Sequence, residues 1–458
     1  MADVTALLTA TIAEVSGLIE RREISPLELV AAQLARIEAL DGSIGSYLHV
    51  TAGLAREQAR RAERELAAGQ YRGRLHGIPV GIEDLVLTRG YHNADAAALL
   101  GKLDAAGAVC VGRLKPGAYA GHDDRPDTVP PRNPWHLDHA ADVWSSGAGA
   151  ATAASLCFGA LAGDAGGDLR FPAAACGVVG LKASFGKVSR FGMFTLADTL
   201  DRIGPLARSV ADATLLLAAI EGRDARDPAT RDDRRIDYLA AIAEGARGLR
   251  IGIDRGYCAA GDDPAQADAL FRACFILKGQ GLDIFDVDLA GITEACADWL
   301  AICAVDALRG RRASFPSQAS GYDPALRALL EHGLGVTPED EARGLRARQQ
   351  VFALIDSVLG EVDCILCPAS PRPAQRRDDS PPPWPGSPAA LAAMVRYSAP
   401  TGCGGHPAIT VPNGFTADGL PTAMQFIGRR GDEATILRVA AAYERATGWH
   451  RRRPSLAA

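Results

Sequence analysis

The stretch that decides the fold is Gly163-Asp-Ala-Gly-Gly-Asp168-Leu-Arg-Phe-Pro-Ala173, which lies in a chain of 458 residues. It sits inside a Gly- and Ala-rich region that runs from Ser145 to Gly192. Glycine pairs let the backbone adopt positive φ and approach other atoms closely. The carboxyl group that directly follows this pair makes the turn the first place to look for chemistry.

The residues before this stretch predict helices and then a strand. Ser25-Pro26 is a helix N-cap followed by proline at the first helical position, and the apolar residues of Leu29–Leu40 recur at helical spacing. A second amphipathic helix is predicted from about Ala52 to Ala68. The apolar run Leu75-His-Gly-Ile-Pro-Val-Gly-Ile82 predicts a buried strand that leads to Glu83-Asp84.

The C-terminal part continues the alternation. A strand is predicted at Ala408–Pro412, and a last helix at Glu433–Thr447 is stopped by Gly448. A Pro-rich insertion, Pro371–Pro388, predicts a stiff surface loop. Irregular alternation of helices and strands indicates an α/β architecture with both faces of the sheet covered by helices.

Composition excludes several classes of partner. The formal charge is −6 and the basic residues are scattered, which leaves no footprint for nucleic acid. No apolar stretch reaches the ~20 residues needed to span a bilayer, and no secretory leader is evident, so we expect a cytoplasmic protein. The expected partner is a small uncharged or mildly polar molecule, with no cofactor, and a homodimer is left open.

Cysteine and histidine give no sign of a metal site. The spacing of Cys364-Ile-Leu-Cys367 suits redox or zinc chemistry, but in a strand the two side chains point to opposite faces. His136 and His139 have a ligand-like spacing, yet we expect solvated residues on a loop. His76 and His406 are expected to be structural.

Short blocks along the chain carry a family resemblance. They are Leu75-His-Gly-Ile-Pro-Val80, Arg132-Asn-Pro-Trp135, Gly163-Asp-Ala-Gly-Gly167, Arg170-Phe-Pro-Ala173, Cys176-Gly-Val-Val-Gly-Leu-Lys182, Gly186-Lys-Val-Ser-Arg-Phe-Gly192, Ile203-Gly-Pro205, Arg208-Ser-Val-Ala-Asp212, Gly419-Leu-Pro421, Gln425-Phe-Ile-Gly428 and Ala446-Thr-Gly-Trp449. In order and spacing they resemble the amidase signature family, which includes the A subunits of glutamyl-tRNA amidotransferases, malonamidases and fatty-acid amide hydrolases. The resemblance implies one domain over residues 1–458 around a large mixed β-sheet, with a signature core at about 75–205 and C-terminal strands and helix at about 395–450.

The same resemblance locates the catalytic positions. The family uses a neutral lysine, a bridging serine in a cis peptide and a nucleophilic serine, while N–H groups of a Gly-Gly turn hold the oxyanion. In this chain Glu83 stands at the lysine position and Asp168 at the nucleophile position. Ala165, Gly166 and Gly167 are implied as the oxyanion turn, which we expect to donate N–H groups into the cavity. Its implied supports are Asp164 and Arg170.

The bridging position is open between two registers. Counting without gaps from Asn133 forward or from Gly166 backward places Trp144 there. Matching Ser145-Ser146 to the family's serines needs one insertion and one deletion. The ungapped register is favoured, because compensating changes in a tight Gly-rich turn disturb its special backbone dihedrals.

These substitutions predict altered chemistry. Without an amine base or a hydroxyl nucleophile, ordinary acyl-enzyme turnover has no route. Two carboxyls around one cavity cannot both ionise easily, which gives an acid beside a base. The sequence therefore predicts a repurposed enzyme that uses Glu83 and Asp168 for acid–base or nucleophilic chemistry on a small metabolite, by epoxide opening, dehydration, isomerisation or cyclisation. The alternatives are an inactive pseudo-amidase that binds or scaffolds, and an atypical amide hydrolase.

Overall fold

A computed structural model describes residues 4–84, 98–117, 129–142, 144–231, 234–261, 263–296, 298–378 and 388–456. The strands in this part of the chain are β1 Tyr47–Val50, β2 Pro79–Glu83, β3 Val109–Leu114, β4 Arg132–Asn133, β5 His136–Ala140, β6 Gly159–Asp164, β7 Val179–Lys182, β8 Arg202–Ala207, β9 Arg250–Ile253, β10 Asp283–Asp286, β11 Cys364–Pro368, β12 Ala408–Phe415 and β13 Pro421–Ile427. Its α-helices are α1 Val4–Leu7, α2 Ile12–Glu20, α3 Pro26–Ile44, α4 Ala52–Ala67, α5 Ala98–Ala105, α6 Ser146–Ala153, α7 Arg170–Cys176, α8 Val210–Ile220, α9 Tyr238–Ala243, α10 Arg255–Ala259, α11 Pro264–Gly279, α12 Ile292–Ala295, α13 Trp299–Gly310, α14 Pro324–Gly335, α15 Pro338–Glu361, α16 Pro388–Val395, α17 Ala399–Gly404 and α18 Glu433–Thr447. Two 3₁₀ turns lie at Ala319–Gly321 and Trp449–Arg451.

Most described strands join one large mixed sheet, as the sequence predicted. Its order is β1-β3-β2-β6-β8-β7-β12-β13-β11-β9-β10, and β4 and β5 form a separate pair. The central strands β2, β6, β8 and β12 are buried along almost their whole length, which is typical of a sheet with helices on both faces.

The predicted helices and strands in the described residues are present. Ser25 caps α3 by accepting hydrogen bonds from two backbone N–H groups of the first turn. The helix Glu433–Thr447 has the predicted bounds, and Gly448 ends it in the left-handed conformation with φ 70°. Local capping chemistry sets these ends.

The strand directions bring three acidic segments to one edge of the sheet. β2 and β6 are parallel, so their carboxyl ends at Glu83 and Asp164 meet. β8 runs antiparallel to β6, with Arg202 opposite Asp164, so its amino end meets the same edge. The turn after β6 then carries Asp168 into α7. Topology therefore assembles the candidate site from segments far apart in sequence.

Two local expectations need correction. His136 and His139 lie on β5, not on a loop, with ring centroids 4.5 Å apart. The start of the Pro-rich insertion is not a free surface loop, because Ala140 donates its N–H to Gln375 at 2.9 Å and Arg377 donates to Asp138 at 2.9 Å. Residues 379–387 of the insertion lie outside the described part of the chain.

The cysteines behave as buried apolar side chains. All ten are buried free thiols, and Cys364 and Cys367 lie within the buried strand β11. No helix in the described residues is long and apolar enough to cross a membrane.

Candidate active site

Glu83 is the deepest acid of the site. It ends β2 with 1% of its surface exposed. Its Oε1 accepts a hydrogen bond from the Ser145 hydroxyl at 2.7 Å, and its Oε2 accepts from the N–H of Gly163 at 2.8 Å. Burial raises the pKa of Glu83 from 4.5 to about 8, against the opposing effect of these two hydrogen bonds. Glu83 is therefore mostly protonated at neutral pH.

Ser145, rather than Trp144, makes the contact that the bridging residue would make. Ser145 precedes α6 with φ 41°, a left-handed conformation that is unusual for serine, and this turns its hydroxyl toward Glu83. Trp144 lines the same cavity and stacks on Phe171 at 5.9 Å between ring centroids. The ungapped count therefore did not identify the contacting residue, since backbone dihedrals decide which side chain faces Glu83. Ser146 is buried in the first turn of α6.

Asp168 folds back onto its own turn. Its Oδ2 accepts from the N–H of Ala165 at 2.6 Å and from the N–H of Gly166 at 3.1 Å, while Gly167 donates to Asp164 at 2.9 Å. The expectation that Gly166 and Gly167 donate into the cavity is therefore wrong in this structure. A carboxylate two or three residues along is the nearest acceptor for these donors.

The ionisation of Asp168 reflects the same surroundings. Burial and the nearby charge of Asp164 raise its pKa from 3.8 to about 6, and the two N–H donors offset part of this rise. Asp168 is thus mostly ionised at neutral pH, on the other side of neutrality from Glu83.

Both turn glycines are required by packing. A Cβ on Gly166 would lie 2.3 Å from the ring of Trp299, and one on Gly167, whose φ is 128°, would lie 2.6 Å from Phe171. The turn keeps its shape because no larger residue fits at either position.

A buried network supports the turn from behind. Arg170 donates to both carboxylate oxygens of Asp164 at 2.9 Å and also reaches Thr401 at 2.7 Å. Its remaining donors reach the Ser398 carbonyl and Gln425. Burial opposes ionisation of Asp164, but the charge and hydrogen bonds of Arg170 more than offset this and lower its pKa. The network is charged yet fully paired.

A third acid, Asp201, lines the cavity and was missed from the sequence. It directly precedes β8 and is 6% exposed, and its Oδ2 accepts from the N–H of Ala197 at 3.0 Å. Burial, followed by the charge of Asp168, raises its pKa to about 7. The only sequence signal was an acid next to the Ile203-Gly-Pro205 block, which says nothing of the direction of its side chain.

Glu83, Asp168 and Asp201 share one cavity, which we call the acid cavity. It measures about 30 Å³ within an open cleft of about 400 Å³, and Trp144 and Phe194 form part of its walls. Three carboxyls that ionise near neutrality can exchange protons with a bound molecule. No amine reaches the carboxyls in the described residues.

The other sequence candidates lie elsewhere. His76 contacts Glu65 at 3.0 Å and His406 contacts Asp356 at 2.9 Å, as structural residues do. Across the described ranges no three His, Cys, Asp or Glu side chains are grouped to hold a metal ion.

Comparison with known proteins places this geometry in context. The family model described as Amidase matches residues 28–437. The chain is 35% identical over 470 residues to the putative amidase AmiD of Mycobacterium tuberculosis, covering 99% of this chain and 97% of that protein. It is 34% identical to the glutamyl-tRNA(Gln) amidotransferase A-type chain of Roseiflexus castenholzii, covering 99% of both.

A solved structure shows the same architecture. The native peptide amidase from Stenotrophomonas maltophilia superposes with a TM-score of 0.81 at 27% identity, covering 98% of this chain and 99% of that one. The likeness in structure extends over nearly the whole of both chains.

Proposed function

The chain belongs to the amidase signature family, and from that premise we propose that it is an enzyme whose carboxyl groups, Glu83 and Asp168, replace the family's catalytic groups in acid–base chemistry on a small metabolite. The observation that carries the proposal is one cavity with two acids whose pKa values, about 8 and about 6, lie on opposite sides of neutrality. At pH 7 one of them donates a proton and the other accepts one.

The proton steps follow from this division. Asp168 accepts a proton from a C–H or O–H group of the substrate. Glu83 gives its proton to the substrate oxygen on which negative charge develops, such as an epoxide oxygen or a departing hydroxyl. Ser145 holds Glu83 in place and passes a proton in either direction, since a hydroxyl both donates and accepts. Epoxide opening, dehydration, isomerisation and cyclisation all fit these steps.

The charge of the cavity restricts the substrate. Asp168 is mostly ionised at neutral pH, and Asp201, with a pKa of about 7, is partly ionised. An anionic substrate would be repelled in a buried site where charges are weakly screened. We therefore propose a neutral or electrophilic substrate.

A second candidate function is a pseudo-amidase that binds without turnover. Asp168 occupies the N–H donors of Ala165 and Gly166, which an oxyanion would need. A site that satisfies its own donors has less use for an incoming carbonyl oxygen. Atypical amide hydrolysis would require Asp168 to leave these donors.

The test is untargeted mass spectrometry of a cell metabolite extract, supplemented with small epoxides, hydroxy acids and amides, after incubation with the protein. We expect conversions by the wild type that Glu83→Gln and Asp168→Asn both abolish. The matched controls are Glu444→Gln and Asp212→Asn, because these carboxyls also have pKa values raised to about 8 and about 6 but lie outside the cavity.

Each outcome selects a function. Conversions that persist in both cavity variants would refute the carboxyl mechanism. Compounds that bind without conversion would favour the pseudo-amidase, and release of ammonia or amine from amides would favour atypical hydrolysis.

A further inference from the structure

A second cavity lies against the aromatic wall of the acid cavity. It measures about 60 Å³ within an open cleft of about 620 Å³. Phe171 lines it, and the ring of Phe171 stacks on Trp144, which lines the acid cavity. We call this second space the proline cavity, because Pro371, Pro373 and Pro421 form much of its lining.

The start of the Pro-rich insertion forms one wall of this space. Residues 370–375 line the cavity, and the segment is fixed to β5 by the bonds from Ala140 to Gln375 and from Arg377 to Asp138. An isolated bridge between His139 and Arg376 adds to this attachment. The insertion therefore shapes a defined space.

Gln266 supplies an uncommitted donor to the proline cavity. It lies on α11, is 3% exposed and lines the space. Its Oε1 accepts from the N–H of Ala423 at 3.2 Å, which fixes the orientation of the amide. No described residue accepts a hydrogen bond from its NH₂ group. A buried amide donor without a protein acceptor points to a ligand or water as its partner.

We propose that the proline cavity is a binding site for a small, largely apolar molecule that carries one carbonyl oxygen, and that the NH₂ group of Gln266 donates to that oxygen. Phe171, Met394 and the prolines contact the apolar part. The polar end enters the small inner space, and the remainder lies in the wider cleft. The acid cavity on the other side of the Trp144–Phe171 stack is not needed for this binding.

Acetophenone tests the proposal, since it has an apolar ring and a single carbonyl, and ethylbenzene is the matched molecule without the acceptor. Titrations followed by ligand-observed NMR measure both Kd values in the full-length protein. We expect acetophenone to bind more tightly, and Gln266→Met to raise its Kd about three- to tenfold, the worth of one hydrogen bond. The Kd of ethylbenzene should stay unchanged.

Further variants control for location and folding. Ala374→Trp fills the cleft from the insertion and should abolish binding of both molecules. Gln266→Glu keeps an acceptor for the N–H of Ala423 but removes the donor, so it should weaken acetophenone binding with the melting temperature retained. Equal affinity for the two molecules, or an unchanged Kd in both Gln266 variants, overturns the proposal.

The acid-cavity variants separate the two proposals. Glu83→Gln and Asp168→Asn should leave acetophenone binding unchanged. If they weaken it, acetophenone occupies the acid cavity, and the proline-cavity site is refuted without touching the proposed acid–base function.

Discussion

The turn after β6 has two sides that treat charge in opposite ways. Behind the turn, Asp164 and Arg170 are fully buried, and each charge has a partner at 2.9 Å. In front of it, Glu83 and Asp168 lie in the acid cavity with only neutral donors around them. Pairing lowers the pKa of Asp164, whereas burial without a cation raises the pKa of both cavity acids.

This difference separates what holds the turn from what it presents. A buried ion pair with every donor used fixes a shape. Buried acids without cations lower stability at neutral pH, which proteins accept mainly where function requires it. The contrast is consistent with a retained framework around altered chemistry.

The largest expected effect comes from breaking the framework. Arg170→Met leaves Asp164 buried without its cation, so we expect the free energy of unfolding to fall by about 3–5 kcal/mol. Urea denaturation measures this. The control is Arg255→Met, which breaks an exposed pair with Asp286 and should cost below about 1 kcal/mol. Similar losses in the two variants would contradict the role given to the network.

Removing a cavity acid should have the opposite sign. The folded-state pKa of Glu83 is raised, so its protonated form contributes stability that is complete below about pH 4 and lost as the pH rises through about 8. Glu83→Gln mimics the protonated form, with an oxygen for Gly163 and an NH₂ group for Ser145. We expect a gain of up to about 3 kcal/mol at pH 9 and little change at pH 4.

Thermal unfolding from pH 4 to pH 9 checks this expectation. The wild type should lose stability with rising pH more steeply than Glu83→Gln over this range. Parallel curves for the two proteins would show that Glu83 is not a buried acid of raised pKa.

A smaller effect is expected from the serine that contacts Glu83. The hydrogen bond from Ser145 lowers the pKa of Glu83, so Ser145→Ala should raise that pKa further and cost about 1 kcal/mol at high pH. The infrared carbonyl band of protonated carboxyls, followed with pH, reports the shift. Ser146→Ala is the matched control, because the buried Ser146 hydroxyl makes no hydrogen bond in the described part of the chain. Equal shifts would assign the effect to the helix end instead.

The smallest expected effect is on amide hydrolysis. We expect no turnover of simple aliphatic or aromatic amides by the wild type, and none after Asp168→Ser, because the proton relay would still lack a lysine. Ammonia release measures this. Turnover comparable with ordinary enzymes that Asp168→Ala abolishes would refute the loss of amidase chemistry.

Some of the site could be predicted because the relevant signals are local. The Gly166-Gly167 turn, the position of Glu83 at the end of a strand and the bracing by Arg170 follow from motif and order. Asp201 and the folded-back carboxylate of Asp168 could not be predicted, since neither depends on the residues beside it in sequence. Gln266 was missed for the same reason, because its partner Ala423 lies far along the chain.

The sequence by itself determined the α/β class, the family resemblance, the helix ends and the exchange of lysine and serine positions for Glu83 and Asp168. These depend on periodicity, capping and residue identity, all of which are written in adjacent residues. The tertiary structure alone decided that Ser145 faces Glu83, that Asp168 occupies the turn's donors and that three acids share a cavity. Strand order and backbone dihedrals set those contacts, and both result from packing distant segments against one another.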